Sequence, residues 1–314
     1  MQNVVLLFPG QGSQTPGMGA DLAQRFPVAH EVFLAADAAV DAPLSALCFG
    51  GPAEELTLTH NAQPALLAHG AALWSVLRDA IGDRVVAAAG HSLGEFTAYH
   101  AADAIAFPEA IRLVRTRGTL MLAAGEERPG AMAALLGELS EPIEDICARA
   151  SEDAGLVVPA NFNSPGQIVV SGTIEGVECA MGYAKVAGAK RAIRLKVSGA
   201  FHSPLMAESA AGLETALDLA HVADPRFPIY TNVTAQPVKD AALARRLLLQ
   251  QLTSPVQWTR SIEALAVRFP DALYLELGPG TVLAGLVKKI APQLAVASVG
   301  TASDVDAFLS RVDA

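Results

Sequence analysis

The chain has 314 residues, 52% of them hydrophobic, and 22 Lys and Arg against 32 Asp and Glu give a formal charge of −10. At roughly 150 residues per domain, this length predicts two domains, or one large domain carrying an insertion, with a core that needs no disulfide or metal staple. The acidic balance argues against a dedicated nucleic-acid binder, whose footprint is basic, and no charge-free apolar run of about 18 residues predicts a membrane span.

The first strand signal is Val4–Phe8. No basic segment precedes this short apolar run, so neither a signal peptide nor a membrane anchor is expected there. Helical periodicity follows over 63–77, then the apolar strand Val85–Gly90 leads directly into a helix over 93–102. Another helix begins at Pro108, a residue tolerated in a first turn. Short strands alternating with helices predict an α/β fold with a mainly parallel sheet.

The middle of the chain changes character. Strand Ala131–Leu136, helix 141–150, strands 156–160 and 168–171, helix 177–187 and strand 191–197 follow in the order βαββαβ. That order is the ferredoxin-like unit. An inserted small domain is therefore expected over 129–197, within a discontinuous large domain formed by 1–128 and 198–314. Strand signals at 229–231, Leu273–Leu277 and Ala295–Val299 resume the large domain, and a cleft between the two is the expected place for a ligand. Cys48, Cys147 and Cys179 lie far apart without a CxxC pair, which fits a reducing compartment, the cytoplasm, and argues against a zinc knuckle.

Gly90-His91-Ser92-Leu93-Gly94 sits between a strand and a helix, as a nucleophile elbow requires. Its glycines permit a sharp turn that exposes the Ser92 hydroxyl, and the N–H of Leu93 is the natural first oxyanion donor. Ser92-x-x-Glu95 also satisfies an ordinary capping box, which is the competing reading. The loop Pro9-Gly10-Gln11-Gly12 after the first strand either supplies the Gln11 N–H as a second oxyanion donor or is a plain tight turn.

A serine nucleophile needs an imidazole to take its proton. Of seven histidines, His202 stands in a small-residue loop, 198–204, where the chain re-enters the large domain. His91 adjoins Ser92 and should point away from it. His202 is thus the candidate base, against a purely structural role. No Asp or Glu announces itself as a third member, and a carbonyl could orient the ring instead.

On the helix after Pro108, Ala110, Ile111, Val114, Gly118 and Met121 form one apolar stripe, and Arg117 falls inside it. Arg112 and Arg115 read as solvated charges. A buried guanidinium must find an anion. Either an internal Asp or Glu answers it, or a substrate carboxylate does, gripped by the planar fork.

These motifs, together with Asn61-Ala-Gln-Pro64, Asn161-Phe-Asn-Ser-Pro-Gly-Gln167, Ala200-Phe-His-Ser-Pro204, Gln251-Leu252, Pro255-Val-Gln-Trp258 and Glu276-Leu-Gly-Pro-Gly280, resemble the malonyl-CoA:acyl-carrier-protein transacylases of fatty-acid and polyketide synthesis. The resemblance runs nearly end to end. It implies a hydrolase-like α/β domain with a ferredoxin-like insertion, Ser92 as nucleophile, His202 as base, and the N–H groups of Gln11 and Leu93 as oxyanion hole. It implies further that Arg117 clamps the malonyl carboxylate, that Gln251 orients His202 through its carbonyl, and that Gln63, Asn161 and Asn163 line or support the cleft. Phe201 before the base matches the malonyl-type pattern of the polyketide branch, where its bulk crowds an α-methyl group, although Gly199 departs from that branch's usual histidine.

The resemblance implies malonyl-CoA as substrate, an acyl carrier protein as partner, and no metal or bound organic cofactor. A basic island of Lys185, Lys190, Arg191, Arg194 and Lys196, with Lys288 and Lys289, suits docking of an acidic carrier by steering, or is a solvated strand face. The competing functions are a serine hydrolase or thioesterase on the same elbow, a non-catalytic module that keeps the fold, and a dedicated acyl loader for a polyketide line or for malonate decarboxylase.

Overall fold

The computed structural model describes residues 2–197 and 199–312, so Ser198 of the loop 198–204 lies outside the described residues. Among the described residues ten strands form two sheets: β1 (Val4–Phe8), β2 (Val85–Gly90), β3 (Ala131–Leu136), β4 (Val157–Ser164), β5 (Gln167–Gly172), β6 (Arg191–Arg194), β7 (Ile229–Tyr230), β8 (Pro237–Val238), β9 (Leu273–Leu277) and β10 (Ala295–Val299). The larger has the order β10-β9-β1-β2-β7-β8 and is parallel except for the β7–β8 edge. The smaller has the order β4-β5-β3-β6 and is antiparallel throughout, the ferredoxin-like arrangement.

β1 explains why the larger sheet is buried on both faces. All five of its residues are apolar and buried, as a central parallel strand demands. Val4, Leu6 and Phe8 pack into a core built with the helices Thr59–Ile81 and Phe107–Glu127. Val5 and Leu7 face the opposite side, against Trp258, Ile262 and Leu265 of the helix Trp258–Arg268 and Leu283 and Val287 of the helix Val282–Ile290. In the smaller sheet Ala131, Ala133 and Leu135 bury the helices Ile143–Asp153 and Ile174–Val186. Met132, Ala160 and Val169 join the main core instead, which fixes the smaller sheet against the body.

Several elements differ from the periodicity. β4 runs to Ser164, beyond the expected 160, because polar residues from Asn161 onward keep pairing with β5 through register shifts. β6 ends at Arg194, short of 197, although the Leu195 N–H still donates to the Met132 carbonyl at 2.8 Å. The helix expected over 63–77 extends over Thr59–Ile81 despite Pro64 in its interior. The carbonyl that Pro64 leaves without a helical donor, that of His60, accepts from Arg115 Nη1 at 2.8 Å. Arg115 is therefore half-buried and structural, which corrects its reading as a solvated charge, while Arg112 is exposed.

β1 and β2 are parallel neighbours, and Phe8 pairs with Gly90 at their carboxyl ends. The loops carrying Gln11 and Ser92 thus emerge side by side, where open parallel sheets present their functional crevice. Among the described residues no helix is long and apolar enough to cross a membrane.

Candidate active site

The turn from β2 into the helix Gly94–Ala101 is tight enough to exclude any side chain at either glycine. A Cβ on Gly90 would lie 1.9 Å from the Gly94 carbonyl carbon, and one on Gly94 would lie 2.1 Å from the Phe8 oxygen. Ser92 between them adopts φ +51°, a left-handed conformation that a non-glycine residue holds only when its surroundings fix it. Glu95 does not close a capping box. The Ser92 side chain faces His202, and the Glu95 carboxylate is buried.

Ser92 Oγ lies 2.8 Å from His202 Nε2. His202, also left-handed at φ +57°, is 4% exposed. Its Nδ1 lies 2.9 Å from the Gln251 carbonyl and 3.2 Å from the Ser254 carbonyl. Carbonyl oxygens only accept, so Nδ1 carries the ring proton and Nε2 is left to accept from the Ser92 hydroxyl. Burial, and next the Arg117 charge, lower His202 from the ordinary 6.5 to about 3. The ring is therefore neutral at physiological pH, the state a general base needs.

Arg117 is fully buried on the inward face of the helix Phe107–Glu127. Its Nη1 donates to Gln63 Oε1 at 2.7 Å, and Nη2 donates to Ser92 Oγ at 3.1 Å and Gln251 Oε1 at 3.0 Å. Its Nε has no hydrogen-bond partner, and no carboxylate pairs with it directly, among the described residues. Burial lowers its pKa to about 10, and the charge of Glu95 opposes that fall, so the guanidinium stays cationic. A buried cation held only by neutral acceptors is prepared for an incoming anion.

The Gln11 side chain turns to Thr59 Oγ1 at 2.9 Å and Gln63 Nε2 at 3.3 Å. Among the described residues neither Gln11 N–H nor Leu93 N–H donates to a protein acceptor. His91 turns away from Ser92, and its Nε2 lies 2.8 Å from Asn163 Oδ1. Asn161 is buried in β4 beside Val256, and it makes no side-chain hydrogen bond to Ser92, His202 or Arg117 among the described residues. Phe201, 6% exposed, lines a cleft of about 400 Å³ with Gln11, Leu58, Leu195 and Lys196. The cleft meets the site through Gln11 and through Phe201, the neighbour of His202, and neither Ser92 nor His202 is part of its lining.

Two further participants escape the sequence patterns, Asn232 because it carries no signal and Glu95 because its only signal is that of a capping box. Asn232, just after β7, accepts the Ser92 N–H through Oδ1 at 2.7 Å and donates from Nδ2 to the Gly90 carbonyl at 2.7 Å. Glu95 Oε2 accepts from Gln251 Nε2 at 2.7 Å and from the Asn232 N–H at 3.1 Å. Burial pushes the Glu95 carboxyl up to about 7 against the pull of those donors and of Arg117. No group of three or more His, Cys, Asp or Glu among the described residues could hold a metal ion.

The arrangement supplies a nucleophile, a neutral base in one tautomer, unclaimed N–H donors on two adjoining loops, and a buried cation. Together these suit the transfer of an acyl group that bears a free carboxylate. Residues 5–307 match the family model described as the acyl transferase domain. The malonyl CoA-acyl carrier protein transacylase of Bacillus subtilis is 44% identical over 306 residues, covering 98% of this chain and 96% of its own. That of Escherichia coli K12 is 43% identical, with 98% and 99% covered. Among solved structures, the acyl-carrier-protein-S-malonyltransferase of Bartonella henselae superposes with a TM-score of 0.94 at 40% identity, covering 99% and 100% of the two chains. A malonyl-transacylase solved with the acyl carrier protein of a type II polyketide synthase gives 0.93 at 41%, covering 98% and 99%.

Proposed function

This chain belongs to the acyl transferase domain family, and from that premise we propose that it transfers the malonyl group of malonyl-CoA to the thiol of an acyl carrier protein, for fatty-acid or polyketide synthesis. The observation that carries the reading is the meeting of Ser92, His202 and a buried Arg117 that has no carboxylate of its own, all within 3.1 Å of Ser92 Oγ.

The reaction runs in two halves. Ser92 Oγ attacks the thioester carbonyl carbon while its proton passes to His202 Nε2, and the carbonyl oxygen takes up charge between the N–H groups of Gln11 and Leu93. The C–S bond then breaks, the proton moves from His202 to sulfur, and coenzyme A leaves as a thiol. A malonyl ester remains on Ser92. In the second half the carrier thiol gives its proton to His202, its sulfur attacks the ester carbonyl, and Ser92 recovers the proton as the C–O bond breaks.

Arg117 holds the malonyl carboxylate and so fixes the carbonyl in reach of both partners. It also sets selectivity through charge. Protonating His202 beside an uncompensated Arg117 is unfavourable, and the substrate carboxylate offsets that repulsion; a neutral acyl group does not. The Gln251 carbonyl holds His202, Gln63 holds Arg117, and Asn161 and Asn163 of β4 support the cleft, Asn163 through its contact with His91.

Every proton and electron pair in this scheme has a place in the chain or the substrates, so the reading calls for no metal or bound organic cofactor. It places the enzyme in the cytoplasm, beside its carrier protein, and divides the chain into a body of 1–128 and 198–314 with a small domain at 129–197. Incubation with malonyl-CoA, with and without carrier protein bearing its phosphopantetheine arm, tests the reading. Malonyl-carrier formation and little free malonate are expected; malonate released at the same rate without carrier would make the enzyme a hydrolase.

A further inference from the structure

Ser92 owes its left-handed backbone in part to side chains outside the elbow. Its N–H donates to Asn232 Oδ1 at 2.7 Å, and its carbonyl accepts from Gln251 Nε2 at 3.0 Å as well as from the Glu95 N–H within the elbow at 3.1 Å, so both of its main-chain polar atoms are tied to side chains. Gln251 also meets the base and the cation. Its main-chain oxygen accepts from His202 and its Oε1 accepts from Arg117. A rotation of this one residue would disturb nucleophile, base and cation together.

What prevents the rotation is Glu95, which touches none of the reacting atoms. A single oxygen, Oε2, accepts from both Gln251 Nε2 and the main-chain N–H of Asn232. Because Arg117 only donates, the Gln251 amide has one orientation, with its oxygen toward Arg117 and its nitrogen donating to Glu95 Oε2. The second oxygen of Glu95 is buried with no hydrogen-bond partner among the described residues. A buried carboxyl that the acyl-transfer scheme does not use is thus tied to both residues that hold Ser92.

We infer that Glu95 and Asn232 are positioning residues, which hold Ser92 in its left-handed conformation and hold Gln251 facing Ser92, His202 and Arg117 at once. The inference rests on the malonyl-serine reading, and its test separates the two. Single-turnover acylation by malonyl-CoA is followed by rapid quench and intact mass in wild type, Glu95→Ala, Glu95→Gln, Asn232→Ala and the Glu95→Ala/Asn232→Ala double variant, with steady-state KM measured alongside.

Glu95→Ala is expected to slow acylation about 30-fold, the order for losing two buried hydrogen bonds, with KM within about threefold. Glu95→Gln, which can keep an oxygen at the Oε2 position, is expected to stay within about fivefold of wild type. Asn232→Ala should lose about as much as Glu95→Ala, and the double variant should lose less than the product of the two, because both act through one network. Acylation at the wild-type rate in Glu95→Ala, no rescue by Glu95→Gln, or a multiplicative double variant would each overturn the inference. Should Glu95→Ala fail to fold, Asn232→Ala carries the test: a wild-type rate there overturns it equally. If wild type itself forms no acyl-enzyme, it is the malonyl-serine reading that fails.

Discussion

Replacing Arg117 by alanine should change which acyl group the site accepts. The guanidinium donates to three neutral acceptors at 2.7, 3.1 and 3.0 Å and has no carboxylate partner among the described residues. A malonyl carboxylate would gain two charge-assisted bonds of about 1.5–3 kcal/mol each. Part of that gain replaces bonds Arg117 already makes, which leaves roughly 3 kcal/mol of net preference, or about a 100-fold effect. The assay is the transfer of malonyl and acetyl groups from their coenzyme A esters to carrier protein, as kcat/KM for each. Malonyl transfer should fall about 100-fold in Arg117→Ala while acetyl transfer stays level or rises. Lysine at the same position keeps the charge without the fork and should recover only part of the loss. An equal fall for both acyl groups would refute the reasoning, since Arg117 would then act only by holding Ser92.

Other consequences follow from neighbouring residues. Phe201→Ala should raise the ratio of methylmalonyl to malonyl acylation about tenfold, the order for one methyl group in a pocket, and an unchanged ratio would remove Phe201 from the selectivity wall. His202 is depressed in the fold from 6.5 to about 3. Over that interval the unfolded chain binds the extra proton, so the ring's contribution is intact above pH 6.5 and is lost progressively as pH falls toward 3. In urea unfolding, wild type should therefore lose stability relative to His202→Gln between pH 7 and pH 5, and a pH-independent difference would contradict the buried neutral ring. Lys190 and Arg191 are exposed at the start of β6, whereas Arg194 at its end is paired with Glu178 at 3.0 Å. Charge reversal at Lys190 and Arg191 should raise KM for carrier protein and spare KM for malonyl-CoA; if neither moves, the carrier docks elsewhere.

The chemistry of single residues was more legible in the sequence than the network beneath them. Ser92 stood out because strand, glycine, serine and glycine follow in order, and Arg117 because a charge interrupts an apolar stripe. Glu95 looked like a capping residue, since three positions after a serine is where such a residue belongs, and only tertiary packing shows the carboxylate buried against Gln251. Asn232 follows a strand of two residues, too short for periodicity to mark, and its partner Gly90 is 142 positions away. The role of Arg115 escapes its own helix pattern because its partner, the His60 carbonyl, is orphaned by a proline in another helix. In the fold, the alternation of strands and helices gave the two sheets, while the ends of β4 and β6 depend on pairing across the smaller sheet that no local pattern encodes.

Intact-protein mass spectrometry after brief exposure to malonyl-CoA tests the central claim most directly. Wild type should gain one malonyl increment that added carrier protein removes, and Ser92→Ala should gain none. An increment on Ser92→Ala, or none on wild type while free malonate accumulates, would contradict a malonyl-serine intermediate.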